Sequence, residues 1–251
     1  MKNLFLSRIV KCIMLTSVTM LLAGCGSYSV EATPCIIVAT NAYFAPYEYY
    51  DDNNSVTGID VDIINEIGRR LNKDIVIIDM DFENLLTAVS SGKVDCTISA
   101  MTVTPERKAQ VLFTNSYAHS VQRIVVKIDS AYKSIDDLSD AIIGVQGGTT
   151  GATYAKDDFS SVVEYSKVNE LEDALRNNKI DAIIVDAGPA NELVSSNTDF
   201  EVLDTPYADE EYAIGVSKSK DILYNEINKT LIEMINDGTV ESIFAKYSVE
   251  F

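Results

Sequence analysis

Two stretches of nineteen residues share one pattern and five identities. FENLLTAVSSGKVDCTISA (82–100) stands 86 positions before VNELEDALRNNKIDAIIVD (168–186), and with no gap Leu85 matches Leu171, Ala88 Ala174, Lys93 Lys179, Asp95 Asp181 and Ile98 Ile184. Each copy reads as a helix, a polar turn and a short apolar strand. Strands apolar on both faces belong to parallel sheets covered by helices. Two αβ units can share this pattern by chance; five identities without a gap favour a duplicated architecture of two α/β halves. A further strand precedes each copy, CIIVAT (35–40) and AIIGVQ (141–146), and each runs into an irregular segment, NAYFAPYEYYDDNNSVTG and GGTTGATYA. Helical patterns follow at 60–71 and near 150–156. This alternation predicts two lobes, each a largely parallel sheet flanked by helices. Ligands of such sheets bind beyond the carboxyl ends of the strands. There the sequence places Asn41 and Phe44, Ala100 and Thr102, Gly148 to Thr150, and Asp186.

The amino-terminal 24 residues differ from the rest. Lys2, Arg8 and Lys11 are basic, no acid precedes Glu31, and 13–23 is an apolar run. A membrane-spanning helix needs roughly 20 apolar residues, so the segment reads as a signal peptide. It ends in Leu22-Ala23-Gly24-Cys25, which looks like the lipobox of bacterial lipoproteins and marks Cys25 for lipidation, with 25–33 as a tether. Loss of 1–24 removes three of 20 basic residues and none of 38 acidic ones, leaving 17 against 38 and a net charge of −21. That balance opposes nucleic-acid binding, which needs a positive surface.

Of four cysteines, Cys12 lies in the signal segment and Cys25 in the lipobox, leaving Cys35 and Cys96. There is no CxxC pair, and His119 is the one histidine, so neither a zinc site nor any other metal or cofactor is expected. His119 sits in SYAHSVQR, beside no nucleophile motif, and reads as a surface or hinge residue.

SAMTVTPERK (99–108) poses a question of charge. Thr104 and Pro105 read as N-cap and first position of a helix. Arg107 then falls in the first turn, where the helix dipole disfavours a cation. An arginine there suits an anion arriving from outside; the alternative is a surface arginine paired with Glu106.

In this order and spacing, NAYFAPYEYYDD, TGIDVDIINEI, DFENLLTAVSSGKVD, AMTVTPERKAQVLFTNSY, GVQGGTTGATYA, KIDAIIVD and EEYAIGVSK resemble the polar amino-acid family of extracellular solute-binding proteins, the capture subunits of bacterial ABC importers. The resemblance covers about 33–251. It implies a two-lobed Venus-flytrap fold, with lobe 1 made of 34–121 and 212–251, lobe 2 of 122–211, and two hinge segments. It implies a monomer, anchored outside the cytoplasm through Cys25, that binds a free amino acid and delivers it to a permease. Arg107 would grip the ligand's α-carboxylate through paired hydrogen bonds. Thr150 would hold the same group from lobe 2, helped by Gly148 and Thr149. Asp186 would accept the α-ammonium, joined by the Ala100 carbonyl and the Thr102 hydroxyl, with Met101 counted among the same site residues. Asp186 also suits a helix N-cap. Phe44 and Phe82 match positions whose rings flank the ligand side chain; Tyr43 and Tyr47 are weaker candidates.

One position departs from the family pattern. Many relatives carry an acid where this chain has Asn41, and in binders of basic ligands that acid meets the distal charge. Glu48 or Asp51 could substitute, but the amide favours a neutral polar or sulfur-containing amino acid. In the family fold the strands beginning at Cys35 and Cys96 are neighbours, and an exported protein permits oxidation, so a Cys35–Cys96 disulfide is expected, against two buried thiols. Two other functions share the fold. A dehydratase would need a general acid in the cleft, and Asp186 is already committed to the ammonium. A receptor domain would be expected to continue into a second membrane segment or a signalling domain.

Overall fold

The computed structural model describes residues 34–249. The signal segment 1–24 and the whole tether 25–33, Cys25 included, lie outside the described residues. The strands are β1 (Cys35–Thr40), β2 (Tyr43–Phe44), β3 (Glu48–Tyr50), β4 (Val56–Thr57), β5 (Asp74–Asp79), β6 (Cys96–Thr97), β7 (Leu112–Lys127), β8 (Ile143–Gln146), β9 (Val162–Tyr165), β10 (Ala182–Asp186), β11 (Phe200–Val202) and β12 (Ala208–Val216). The helices are α1 (Ile59–Leu71), α2 (Leu85–Ser90), α3 (Pro105–Lys108), α4 (Thr150–Asp158), α5 (Val168–Arg176), α6 (Ala187–Ser196), α7 (Asp221–Asn236) and α8 (Thr239–Lys246).

The main sheet has the order β5-β1-β6-β12-β7-β10-β8-β9, with β11 added to β7. Read from either edge, the arrangement is the same. β1 pairs in parallel with β5 and β6, and β8 with β9 and β10. β12 and β7 run antiparallel to β6 and β10 and to each other. The sequence duplication is thus a duplication of topology, joined through the two strands β7 and β12. A small sheet, β2-β3-β4, lies beyond the end of β1.

The matched residues of the repeat explain why both copies fold alike. Leu85 and Leu171 are fully buried, as are Ile98 and Ile184 to within 2 %. Each helix closes through a left-handed residue at the same position, Gly92 (φ 73°) and Asn178 (φ 55°), the residue types that tolerate this conformation at a helix end. The next residues, Lys93 and Lys179, donate their backbone N–H to Ala88 and Ala174, both at 2.9 Å. Asp95 and Asp181 then lock the foot of each strand. Asp95 Oδ2 accepts from the Ile37 N–H at 2.7 Å, and Asp181 Oδ2 from the Ile142 N–H at 2.8 Å. The backbone bonds back to Ile37 and Ile142 are 2.8 Å in both.

The expected Cys35–Cys96 disulfide is not formed. Cys96 is a free, fully buried thiol, and burial raises its pKa. The register gives the reason: Cys96 lies opposite Val38, whereas Cys35 lies opposite Asp74 on the other neighbour. Three residues along a strand are about 10 Å, beyond the roughly 7 Å that a disulfide bridges. The family adjacency of the strands holds; their stagger forbids the bond.

Candidate functional site

The carboxyl ends of β1, β6, β8 and β10 converge on a narrow cleft between the two halves. Its lining includes the expected Asn41, Phe44, Phe82, Ala100, Thr102, Arg107, Thr149, Thr150 and Asp186. It also includes Glu48, Ser99 and Gln146.

Arg107 lies on the one-turn helix α3, whose N-cap Thr104 accepts the Arg107 N–H at 3.2 Å and whose first residue is Pro105. The side chain is buried, with 7 % exposure. Its Nη1 donates to the Thr102 carbonyl at 2.7 Å and its Nη2 crosses to the Gly148 carbonyl of the other half at 3.0 Å. The Phe82 ring centroid lies 5.5 Å from the guanidinium carbon. Among the described residues no carboxylate forms an ion pair with Arg107, and burial lowers its pKa against the field of Glu210 and Asp186. A buried cation satisfied only by carbonyl dipoles is electrostatically suited to an anion. The alternative pairing with Glu106 is not what the side chain does.

Asp186 closes β10 at the N-cap position of α6, but its side chain makes no capping bond. It is buried, Oδ1 has no partner, and burial followed by the Glu210 carboxylate pushes its pKa up to about 7. An arriving ammonium would favour the ionised form. The equivalent position in the other copy is Ala100, held at φ 42°. Its N–H donates to Asp60 Oδ2 at 2.7 Å, and Asp60 also accepts from the Tyr117 hydroxyl at 2.9 Å.

On the opposite wall Thr149 caps α4, accepting the Ala152 N–H at 3.1 Å. The Thr150 hydroxyl donates to Glu210 Oε1 at 2.7 Å, and the Gln122 amide donates to the same oxygen at 2.8 Å. Gly148, left-handed at φ 76°, supplies the carbonyl that Arg107 holds. At the far end Asn41 and Gln146 meet: Gln146 Nε2 donates to Asn41 Oδ1 at 2.9 Å. Glu48 Oε1 accepts from the Ser99 hydroxyl at 2.6 Å while its Oε2 is unpartnered; burial, then Asp60, raises its pKa well above the usual range.

Met101 is a correction. It was expected at the site, but its side chain is fully buried on the other side of the backbone, in a core with Ala39, Leu85, Val89 and Val111. The left-handed turn at Ala100 (φ 42°) redirects the chain, and Met101 faces the core while Ala100 and Thr102 line the cavity. Tyr47 packs against Tyr212 and Phe244, and the Lys167 ammonium sits 3.9 Å from the Tyr43 ring centroid. His119 is exposed on β7. Of the residues that sequence reasoning missed, Gln146 carried a signal: a polar residue at the carboxyl end of an apolar strand. Ser99 stood at the same kind of position. Gln122 and Glu210, on the two joining strands, carried none.

Residues 36–250 match the family described as bacterial extracellular solute-binding proteins, family 3. An arginine-binding extracellular protein, ArtP of Bacillus subtilis (strain 168), is 31% identical over 239 residues, covering 92% of this chain and 93% of that protein. A crystal structure of the arginine-, lysine-, histidine-binding protein ArtJ from Geobacillus stearothermophilus is 30% identical with a TM-score of 0.81, covering 86% of this chain and 96% of that one. An ancestral arginine-binding protein bound to glutamine is 33% identical with a TM-score of 0.81, covering 85% and 97%. The architecture is the two-lobed α/β fold of these periplasmic amino-acid-binding proteins. The chain belongs to the bacterial extracellular solute-binding proteins of family 3: it acts outside the cytoplasm and is a transport binding protein, not an enzyme.

Proposed function

We propose that the protein captures a polar L-amino acid between its lobes and delivers it to the membrane permease of an ABC importer. One observation carries the reading: a buried guanidinium without a counter-anion and a buried carboxylate with an unpartnered oxygen line one cavity. A zwitterion matches that pair in sign. Arg107 binds the α-carboxylate with Thr150, and Thr149 and Gly148 shape that wall. Asp186 binds the α-ammonium with the Ala100 carbonyl and the Thr102 hydroxyl. Phe44 and Phe82 flank the side chain. Lobe 1 comprises 34–121 and 212–251 and lobe 2 122–211, so the hinge crosses β7 and β12 where they pair. The Arg107–Gly148 and Asn41–Gln146 bonds both span the two halves, so the ligand's anchors are also closure contacts and binding favours the closed form. Cleavage before Cys25 and its lipidation tether the domain to the membrane, where it works as a monomer beside the permease.

The test is a calorimetric and thermal-shift screen of the twenty amino acids with cystine and ornithine. A ligand at 100 times its Kd raises stability by about 2.7 kcal/mol. A folded protein that binds none of them refutes the reading.

A further inference from the structure

We propose that Asn41 and Gln146 form a carboxamide-selective end of this site, so that the preferred ligand is the amino acid whose side chain ends in a primary amide, L-glutamine. The inference rests on the amino-acid-binding function proposed above and names its substrate class.

Oxygen and nitrogen of an amide are told apart by their partners, and backbone carbonyls, which only accept, fix both here. Asn41 Nδ2 donates to the Met80 carbonyl at 2.9 Å, and Gln146 Nε2 donates to the Ser166 carbonyl at 3.1 Å. Gln146 Nε2 therefore spends its second hydrogen on Asn41 Oδ1. Both donors of Gln146 are used, its Oε1 is a buried acceptor without a partner, and the residue lines the cavity. Asn41 Nδ2 carries two hydrogens and has one described partner. The pair thus offers the ligand one acceptor and one donor.

The chemistry of side-chain ends then decides. A lysine or arginine end only donates. It would satisfy Gln146 Oε1 but bring a charge that needs a counter-charge within the cleft. Asp51 and Glu48 do not supply one, and Asp81, Glu83 and Glu164 line a separate pocket beyond Gly147. Asp51 Oδ1 accepts the N–H groups of Asn53 and Ser55 in an exposed turn outside the cavity. Glu48 is in the cavity, but burial and the neighbouring Asp60 press it toward its neutral form. A carboxylate end only accepts and would face Gln146 Oε1 with like polarity. A thioether leaves the buried acceptor unpaired, a loss comparable to a broken hydrogen bond. A primary amide donates and accepts at adjacent atoms.

Isothermal titration of the purified protein with L-glutamine, L-arginine, L-lysine, L-glutamate and L-methionine tests this. Glutamine should bind about tenfold or more tighter than each of the others. Gln146→Leu breaks a closure contact for every ligand, so the readout is the ratio: glutamine should weaken about tenfold more than methionine. The isosteric Gln146→Glu, which keeps the inference testable where the leucine variant fails to fold, should lose glutamine about tenfold and gain arginine. Arginine or lysine equalling glutamine on the unaltered protein overturns the proposal, as does a folded Gln146 variant of unchanged selectivity. Failure of every amino acid to bind refutes the proposed function itself.

Discussion

The two copies of the helix–turn–strand unit share their feet and differ at their heads. At the foot, Asp95 and Asp181 accept the same backbone N–H from the neighbouring strand at 2.7 and 2.8 Å. At the head, Ala100 is left-handed and Asp186 is extended, with φ values of 42° and −64°. The strand of the first copy is two residues long and that of the second five. The first copy therefore turns its backbone toward the cavity, and the second presents a carboxylate. The two copies agree where folding needs the same bond and differ at the proposed site, where an amino acid would show different groups to each wall. The same logic places Asn41 and Gln146. Each lies three positions beyond the rung that its strand makes with the first residue of β6 or β10, Val38 with Cys96 and Ile143 with Ala182. The two amides are counterparts in the two halves, and they bond to each other.

The most severe break in this asymmetry is Arg107→Ala, which has no counterpart in the second copy. Removing one partner of a buried charge pair costs about 2–5 kcal/mol, so amino-acid affinity should fall roughly 30-fold or more with the fold intact. Calorimetry giving near-native affinity would show that Arg107 is not the carboxylate anchor.

Asp186→Asn makes the second head as neutral as the first. We expect roughly tenfold weaker binding from loss of a charge-assisted hydrogen bond, and loss of a pH dependence. Asp186 has its pKa pushed up to about 7 in the empty site by burial and Glu210, with Arg107 opposing. A bound ammonium favours the ionised acid, so affinity should be flat above pH 7 and fall below it, by at most about tenfold per unit. For the empty protein the sign is the reverse. The folded state holds this proton more tightly than the unfolded chain, so the associated stability is full below about pH 3.8 and is lost as pH rises to about 7. Titrations at pH 5, 6, 7 and 8 on both proteins distinguish the two effects; an unchanged profile in the variant would assign the proton elsewhere.

The shared feet predict a smaller, graded effect. Asp95 is buried and also pairs with Lys220, whereas Asp181 is half-buried. Asp95→Ala should destabilise by about 2–3 kcal/mol and Asp181→Ala by about 1 kcal/mol, read by urea unfolding. Equal losses would mean that the lysine and the burial contribute nothing. The smallest change is expected from Ala100→Gly. Glycine relieves the left-handed backbone, and its freer unfolded chain offsets the gain, so stability should move by less than about 1 kcal/mol. A larger loss would show that the Ala100 methyl matters more than its carbonyl.

Much of this was legible in the sequence because it is periodic or local. The strand at 35–40, the one expected at 141–146 and observed at 143–146, and the helix over 60–71 follow from apolar spacing, and Thr104-Pro105 marked the start of α3. Arg107 stood out because its helix position was electrostatically wrong for a surface residue. Gln122 and Glu210 were illegible because their partner, Thr150, lies 28 and 60 positions away and is reached only when β7 and β12 cross between the halves.

By itself the sequence determined two α/β units, their strand ends and the chemical kinds of group gathered there, since apolar periodicity and turn residues act over a few positions. The tertiary structure decided stagger and facing. It set Cys96 opposite Val38 rather than Cys35, turned Met101 into the core, and brought Gln146 to Asn41 across 105 positions of chain. The physical reason is that a strand's register and a side chain's facing depend on which partner backbone it bonds, and that partner is chosen by the packing of the whole sheet.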